Sequence, residues 1–193
     1  VTSIRAHDYS EGELITLGYY ETDDMEAWYQ YLLTRDDFDH EKIGILGNSY
    51  GGMLSIQYAA LNEKIKAVVA NSAFSSMTDT VSTSVTHFTG LPEFPFVPLI
   101  VFWAETDTGV KMEEIDATKW IPEISPRPVF LMQGGADTVV SPNSGQLLYD
   151  AAGEPKELWY DAELGHVEFD KERAEEYEAR VSAFFDQYLL GEQ

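Results

Sequence analysis

Apolar and polar positions change rhythm several times along the chain, and each change predicts an element. In residues 22–34, Met25, Trp28, Tyr29, Leu32 and Leu33 fall at i, i+3, i+4, i+7 and i+8, the spacing of one helical face. Thr22 is the expected cap, and Asp23 and Asp24 suit the positive end of the helix dipole. KIGILG (42–47) is short and mostly apolar, as a buried strand is. YGGMLSIQYAAL (50–61) reads as a helix, and IKAVVAN (65–71) as a strand apolar on both faces, a habit of parallel strands.

From Ser72 to Ser125 the pattern loosens into Ser/Thr-rich segments interrupted by proline. The alternation then returns. PVFLMQG (128–134) is a strand introduced by Pro126 and Pro128. Ser141 as cap and Pro142 at the first helical position open a helix that Gly153 and Pro155 close. KELWYD (156–161) is a further strand. The last helix is expected over 168–190, with Ala174, Tyr177, Val181, Phe184, Phe185 and Tyr188 on one face.

Strands alternating with helices of roughly 10 to 20 residues predict an α/β fold, a mostly parallel sheet flanked by helices. There is no internal repeat and no low-complexity linker. Residues 1–193 are therefore expected to form one domain, with 72–125 as an inserted excursion.

Composition narrows the function. The 193 residues are 44% hydrophobic, enough for one sizeable core, and include no cysteine. That removes thiolate zinc sites, disulfides and a cysteine nucleophile. Acidic residues number 34 against 12 basic ones, a net charge of −22. Such a surface repels nucleic acid and anionic membrane. The longest apolar run, FVPLIVFWA (96–104), is far short of the roughly 20 residues of a spanning helix. Val1 is not an initiator methionine, so the lack of a visible signal segment carries little weight; a cytoplasmic setting is the expectation.

The candidate chemistry centres on GNSYG (47–51), a G-x-S-x-G pattern between a predicted strand and a predicted helix. A chain reversing there forces Ser49 into a strained conformation, and Gly47 and Gly51 are expected to be small because their neighbours pass too close. Ser49 would project from the sheet end at a helix N-terminus, which favours developing negative charge. A serine hydroxyl needs a base, and the base an orienting carboxylate.

Of the four histidines, His7 and His40 read as polar loop residues, and His87 lies in the loose insert. His166, after the last strand, lies where ligands bind in open α/β folds and is the candidate base. Asp137 follows the strand at 128–133 through a glycine turn and emerges on the same edge. It is the candidate acid, with Asp161, Glu163 and Asp170 as competitors nearer His166. A metal reading of His166, Glu168 and Asp170 lacks a helical HExxH pattern or a cysteine set, and neither metal nor cofactor is required by the serine chemistry.

The order Ser49, Asp137, His166 and the element each follows resemble the α/β-hydrolase superfamily. GADTVVSP and PKELWYDAELGHVEF are similar to segments of small esterase-like and serine-aminopeptidase-like members, and GNSYGG to prolyl-oligopeptidase-type elbows. The resemblance implies Ser49 as nucleophile, His166 as proton shuttle and Asp137 as its orienting acid. It also implies the Tyr50 backbone N–H as one half of an oxyanion hole. The other half comes, in the family, from a loop after an earlier strand often marked His-Gly, which is not found in this sequence.

RAHDYSEG (5–12) resembles the stretch after the family's fourth strand, with Asp8 where glycine is usual. The resemblance then implies that the first three strands are lacking. The Ser49 strand would have an open edge unless residues near Val1 cover it, and catalysis would be impaired.

The same resemblance makes 72–125 a cap. Its Phe88, Phe94, Phe96 and Trp103, with Leu91, Leu99, Ile100 and Phe102, would line an apolar acyl pocket, or pack the cap onto the sheet. Apolar lining without a basic cluster points to a neutral small-molecule ester or amide. A carboxylesterase is the leading expectation. A peptidase or amidase is the second, and a catalytically impaired or non-catalytic binding module the third. The oligomeric state is not legible.

Overall fold

A computed structural model describes residues 2–7 and 9–191; Val1 and Asp8, both used above, lie outside the described residues. After an irregular start comes helix α1 (Glu21–Leu33), followed by strand β1 (Ile43–Asn48), helix α2 (Tyr50–Leu61) and strand β2 (Ile65–Asn71). The excursion between the second and third strands holds α3 (Met77–Thr89), α4 (Glu93–Thr108), a 3-10 turn (Met112–Glu114) and α5 (Ala117–Trp120). Then come β3 (Val129–Gly134), α6 (Ser144–Ala151), β4 (Lys156–Asp161), α7 (Phe169–Glu172) and α8 (Ala174–Phe185).

The four strands form one parallel sheet in the order β1-β2-β3-β4. Alternate residues divide between two cores, as the two-residue period of a strand requires. Val68, Ala70, Val129 and Leu131 pack with Ile56 and Met53 of α2 on one face. Ala67, Val69, Phe130 and Met132 pack with Phe169 and Phe184 on the other. Every residue of β3 is buried, which explains why its sequence is a continuous apolar run.

Among the described residues β1 pairs only with β2 and is an edge strand of this sheet, with Leu46 exposed. Residues 2–4 run past that edge as irregular chain, and the Trp28 indole N–H donates to the Ser3 carbonyl at 2.8 Å. They line the groove beside β1 without forming a strand.

Three expected boundaries move. α1 starts at Glu21 rather than Thr22 and has no side-chain cap, because the Thr22 hydroxyl donates back to the Tyr19 carbonyl. α6 starts at Ser144: residues 141–144 form a turn closed by the Ser144 N–H on the Ser141 carbonyl, so Pro142 lies outside the helix. The expected helix at 168–190 breaks at Arg173, whose φ of −131° and ψ of 36° are not helical. Its guanidinium is drawn to Asp161 at 3.0 Å and Glu163 at 3.2 Å.

Among the described residues no single helix is long and apolar enough to cross a membrane. α3 and α4 pass that test only as a pair bent by 119°.

Candidate active site

Ser49 sits between β1 and α2 with φ 54° and ψ −118°, a conformation that costs a non-glycine residue on the order of 1–3 kcal/mol. The surrounding bonds hold it there. The Ser49 N–H donates to the Asn71 carbonyl at the end of β2 at 2.7 Å. Its own carbonyl accepts from Gly52 and Met53, starting α2. Gly47 has no room for a side chain, since a methyl there would overlap the Gly51 carbonyl. Gly51 differs from expectation: a methyl at that position would meet nothing within 4 Å, because it faces the open groove beside β1.

The imidazole of His166 arrives from the loop after β4. Its Nε2 lies 2.8 Å from Ser49 Oγ, and its Nδ1 lies 2.8 Å from Asp137 Oδ2. A carboxylate only accepts, so Nδ1 carries the proton toward Asp137 and Nε2 is left to accept from the serine hydroxyl. Asp137 is buried. Its Oδ1 accepts from the Val139 and Val140 N–H groups at 2.9 and 2.8 Å, and its Oδ2 also accepts from the Gln133 amide at 3.3 Å. These bonds fix the carboxylate before the histidine arrives. Of the competing carboxylates, Asp161 and Glu163 pair with Arg173 and Asp170 is exposed on α7; Glu168, considered above only for a metal, accepts the Gly165 N–H at 2.7 Å.

Two positioning residues carry no signal in the sequence. Ser72 Oγ accepts the Val167 N–H at 3.1 Å, and both residues have positive φ, 51° and 54°. Gln133 is fully buried and spends one amide hydrogen on Asp137 and another on the Gly134 carbonyl.

A cavity of about 510 Å³ opens beside Ser49, lined by Ile4, His7, Ile45, Gly47, Tyr50 and Leu54 among others. It lies on the β1 side. His7, read from sequence as a polar loop residue, stacks on Tyr50 with ring centroids 6.1 Å apart. His40 is a surface residue whose Nε2 lies 2.6 Å from the Arg35 carbonyl. His87 lines a second cavity, of about 470 Å³, which reaches the candidate acid Asp137 and is bounded also by Asp79, Thr86, Glu93 and Thr138. Phe88, Phe94 and Trp103 are exposed, and neither they nor Phe96 line the Ser49 cavity. The structure does not bring the expected acyl-pocket aromatics to the nucleophile, because α4 turns its aromatic side outward.

Behind the elbow lies a buried carboxylate. Glu21 accepts from the Thr16 N–H and hydroxyl, both at 2.6 Å, and from the Gly18 N–H at 2.8 Å. Burial pushes its pKa up, but these three donors outweigh that and hold it below the usual carboxylate value. The Tyr50 phenol faces Glu21 and is pushed well up, first by burial and then by that negative charge.

Residues 7–192 match the prolyl oligopeptidase family. The chain belongs to that family. Its relatives include the uncharacterized protein YqkD of Bacillus subtilis, 26% identical over 186 residues, which span 94% of this chain and 60% of YqkD. The chain thus spans about three fifths of that relative's length. Among solved structures, the Pyrococcus furiosus esterase Pf2001 superposes with a TM-score of 0.79 at 26% identity, covering 96% of this chain and 69% of the esterase. The Pyrococcus horikoshii acylaminoacyl peptidase shares the fold, with a TM-score of 0.70 at 17% identity, covering 90% of this chain and 28% of the peptidase. The four-stranded parallel sheet flanked by helices is that of the α/β-hydrolase superfamily.

Proposed function

We propose that the chain is a serine hydrolase that cleaves carboxylic esters through an acyl-enzyme. The observation that carries this reading is the continuous path from Asp137 through His166 to Ser49, two contacts of 2.8 Å each. Ser49 Oγ would attack the ester carbon while His166 Nε2 takes its proton, and the imidazolium so formed is stabilised by Asp137. The negative charge on the carbonyl oxygen would form at the N-terminus of α2, within reach of the Tyr50 N–H. His166 then returns the proton to the leaving alcohol, and water repeats the sequence to release the acid. No metal or cofactor is needed for any of these steps.

The cavity beside Ser49 supports a small neutral substrate: Ile4, Ile45 and Leu54 give it an apolar wall, and no Lys, Arg, Asp or Glu is among its lining residues. The likeness to the Pyrococcus furiosus esterase favours esters. The prolyl oligopeptidase match supports a second reading, cleavage of peptide or other amide bonds.

A panel of short-chain p-nitrophenyl esters and aminoacyl p-nitroanilides decides between the readings. Ester turnover lost in Ser49→Ala is the expected result. Preferential release from the anilides would transfer the assignment to amide cleavage, and no Ser49-dependent release from either would reject both.

A further inference from the structure

The aromatics of the insert that do not reach Ser49 form a concentrated run of exposed apolar side chains. Between Glu93 and Glu105, α4 contains no charged residue. On its inner side Val101 and Ala104 pack against the core and Val97 is buried. Its outer side carries Leu99, Phe102 and Trp103 at i, i+3 and i+4, hence on one face, and they are 50%, 60% and 67% exposed. Phe94 at the start of α4 is 80% exposed, and Phe88 at the end of α3 is 67% exposed. With Ile100 these side chains leave on the order of 800 Å² of mainly apolar surface in water. On a chain with 34 acidic residues that is an anomaly requiring a cover.

We propose that α4 is the contact face of a homodimer, in which two copies pack α4 against α4 about a two-fold axis. The exposed area matches the roughly 800 Å² that each partner contributes to a standard stable interface. The charge-free stretch suits a second copy, because homodimer interfaces are more apolar than those between transient partners. A lipid surface suits it less. Helices that lie on membranes carry Lys and Arg on their polar side, whereas Glu93, Glu105 and Asp107 flank this one.

Two copies of net charge −22 repel each other, so the apolar contact must overcome a charge term that salt screens. The dimer is therefore expected to tighten with salt, the reverse of an association driven by opposite charges.

Sedimentation velocity on the 193-residue chain at about 1–100 μM, in about 0.1 M and 1 M NaCl, tests this. The expected result is a monomer–dimer equilibrium whose dissociation constant falls at least about tenfold at the higher salt. Phe102→Asp and, separately, Leu99→Lys should each weaken it at least about tenfold while circular dichroism and Tm report a folded chain. Two substitutions are used so that one misfolded variant does not remove the test. A wild-type chain that stays monomeric at the highest concentration and salt overturns the proposal. So does a dimer indifferent to both substitutions. Flotation of a monomeric wild-type chain with phosphatidylcholine vesicles would also overturn it and give the face to lipid.

Discussion

The Ser72 hydroxyl accepts the Val167 N–H at 3.1 Å, tying the residue after His166 to the end of β2. The two lie 95 residues apart in sequence. The bond adds β2, in the middle of the sheet, to the anchors of a loop that the Ala136 N–H also holds through the Leu164 carbonyl at 2.9 Å.

Ser72→Ala should therefore loosen the imidazole without removing any catalytic group. A neutral hydrogen bond is worth about 1 kcal/mol net, so acylation of Ser49 should slow about fivefold with little change in KM. Stopped-flow acylation with a p-nitrophenyl ester measures it. An unchanged rate would mean that the loop holds its place without β2.

Gly47 and Gly51 share the G-x-S-x-G pattern but have opposite surroundings. Gly47→Ala should disrupt the elbow, because the added methyl overlaps the Gly51 carbonyl, and Ser49 reactivity should fall by at least about 10²-fold. Gly51→Ala adds a methyl to open space in the first turn of α2 and should leave both stability and reactivity nearly unchanged. Equal damage from the two substitutions would contradict the asymmetry.

Glu21 links the elbow to acid stability. Its pKa in the folded chain lies below the ordinary value of 4.5, so the unfolded chain binds the proton more readily. The stability it contributes is present above that ordinary value and is lost as pH falls through the lower folded one. Glu21→Gln should cost about 2–3 kcal/mol near neutral pH, since three donors lose a charged acceptor. The gap to wild type should close as pH drops below the ordinary carboxylate range. Urea melts across that range would expose a pH-independent gap, which would mean that Glu21 acts by packing alone.

β2 and β3 were legible because burial on both faces leaves an apolar run; β1 and β4, part-exposed at the two edges, were legible from the turn residues and helices that bound them. Ser49, Asp137 and His166 were legible for a related reason: each directly follows a strand, and a parallel sheet sends those ends to one rim. What failed depended on long-range partners. The last helix breaks at Arg173, whose side chain reaches Asp161 and Glu163, and the insert's aromatics were given a pocket by the resemblance to a cap while their direction is set by how α4 meets α3. Ser72, Gln133, Glu21 and His7 escaped because an isolated serine, glutamine, glutamate or loop histidine has no local pattern. Their roles exist only once Val167, Asp137, Thr16 and Tyr50 are beside them.

The central claim is that His166, held by Asp137, activates Ser49. Intact-mass analysis after reaction with a fluorophosphonate tests it directly, since that probe bonds only to an activated hydroxyl. One adduct per chain, on Ser49, slowed by about 10⁴-fold in Asp137→Asn and abolished in His166→Ala, is the predicted result. A chain that takes up no probe, or one that labels equally fast without the imidazole, would contradict it.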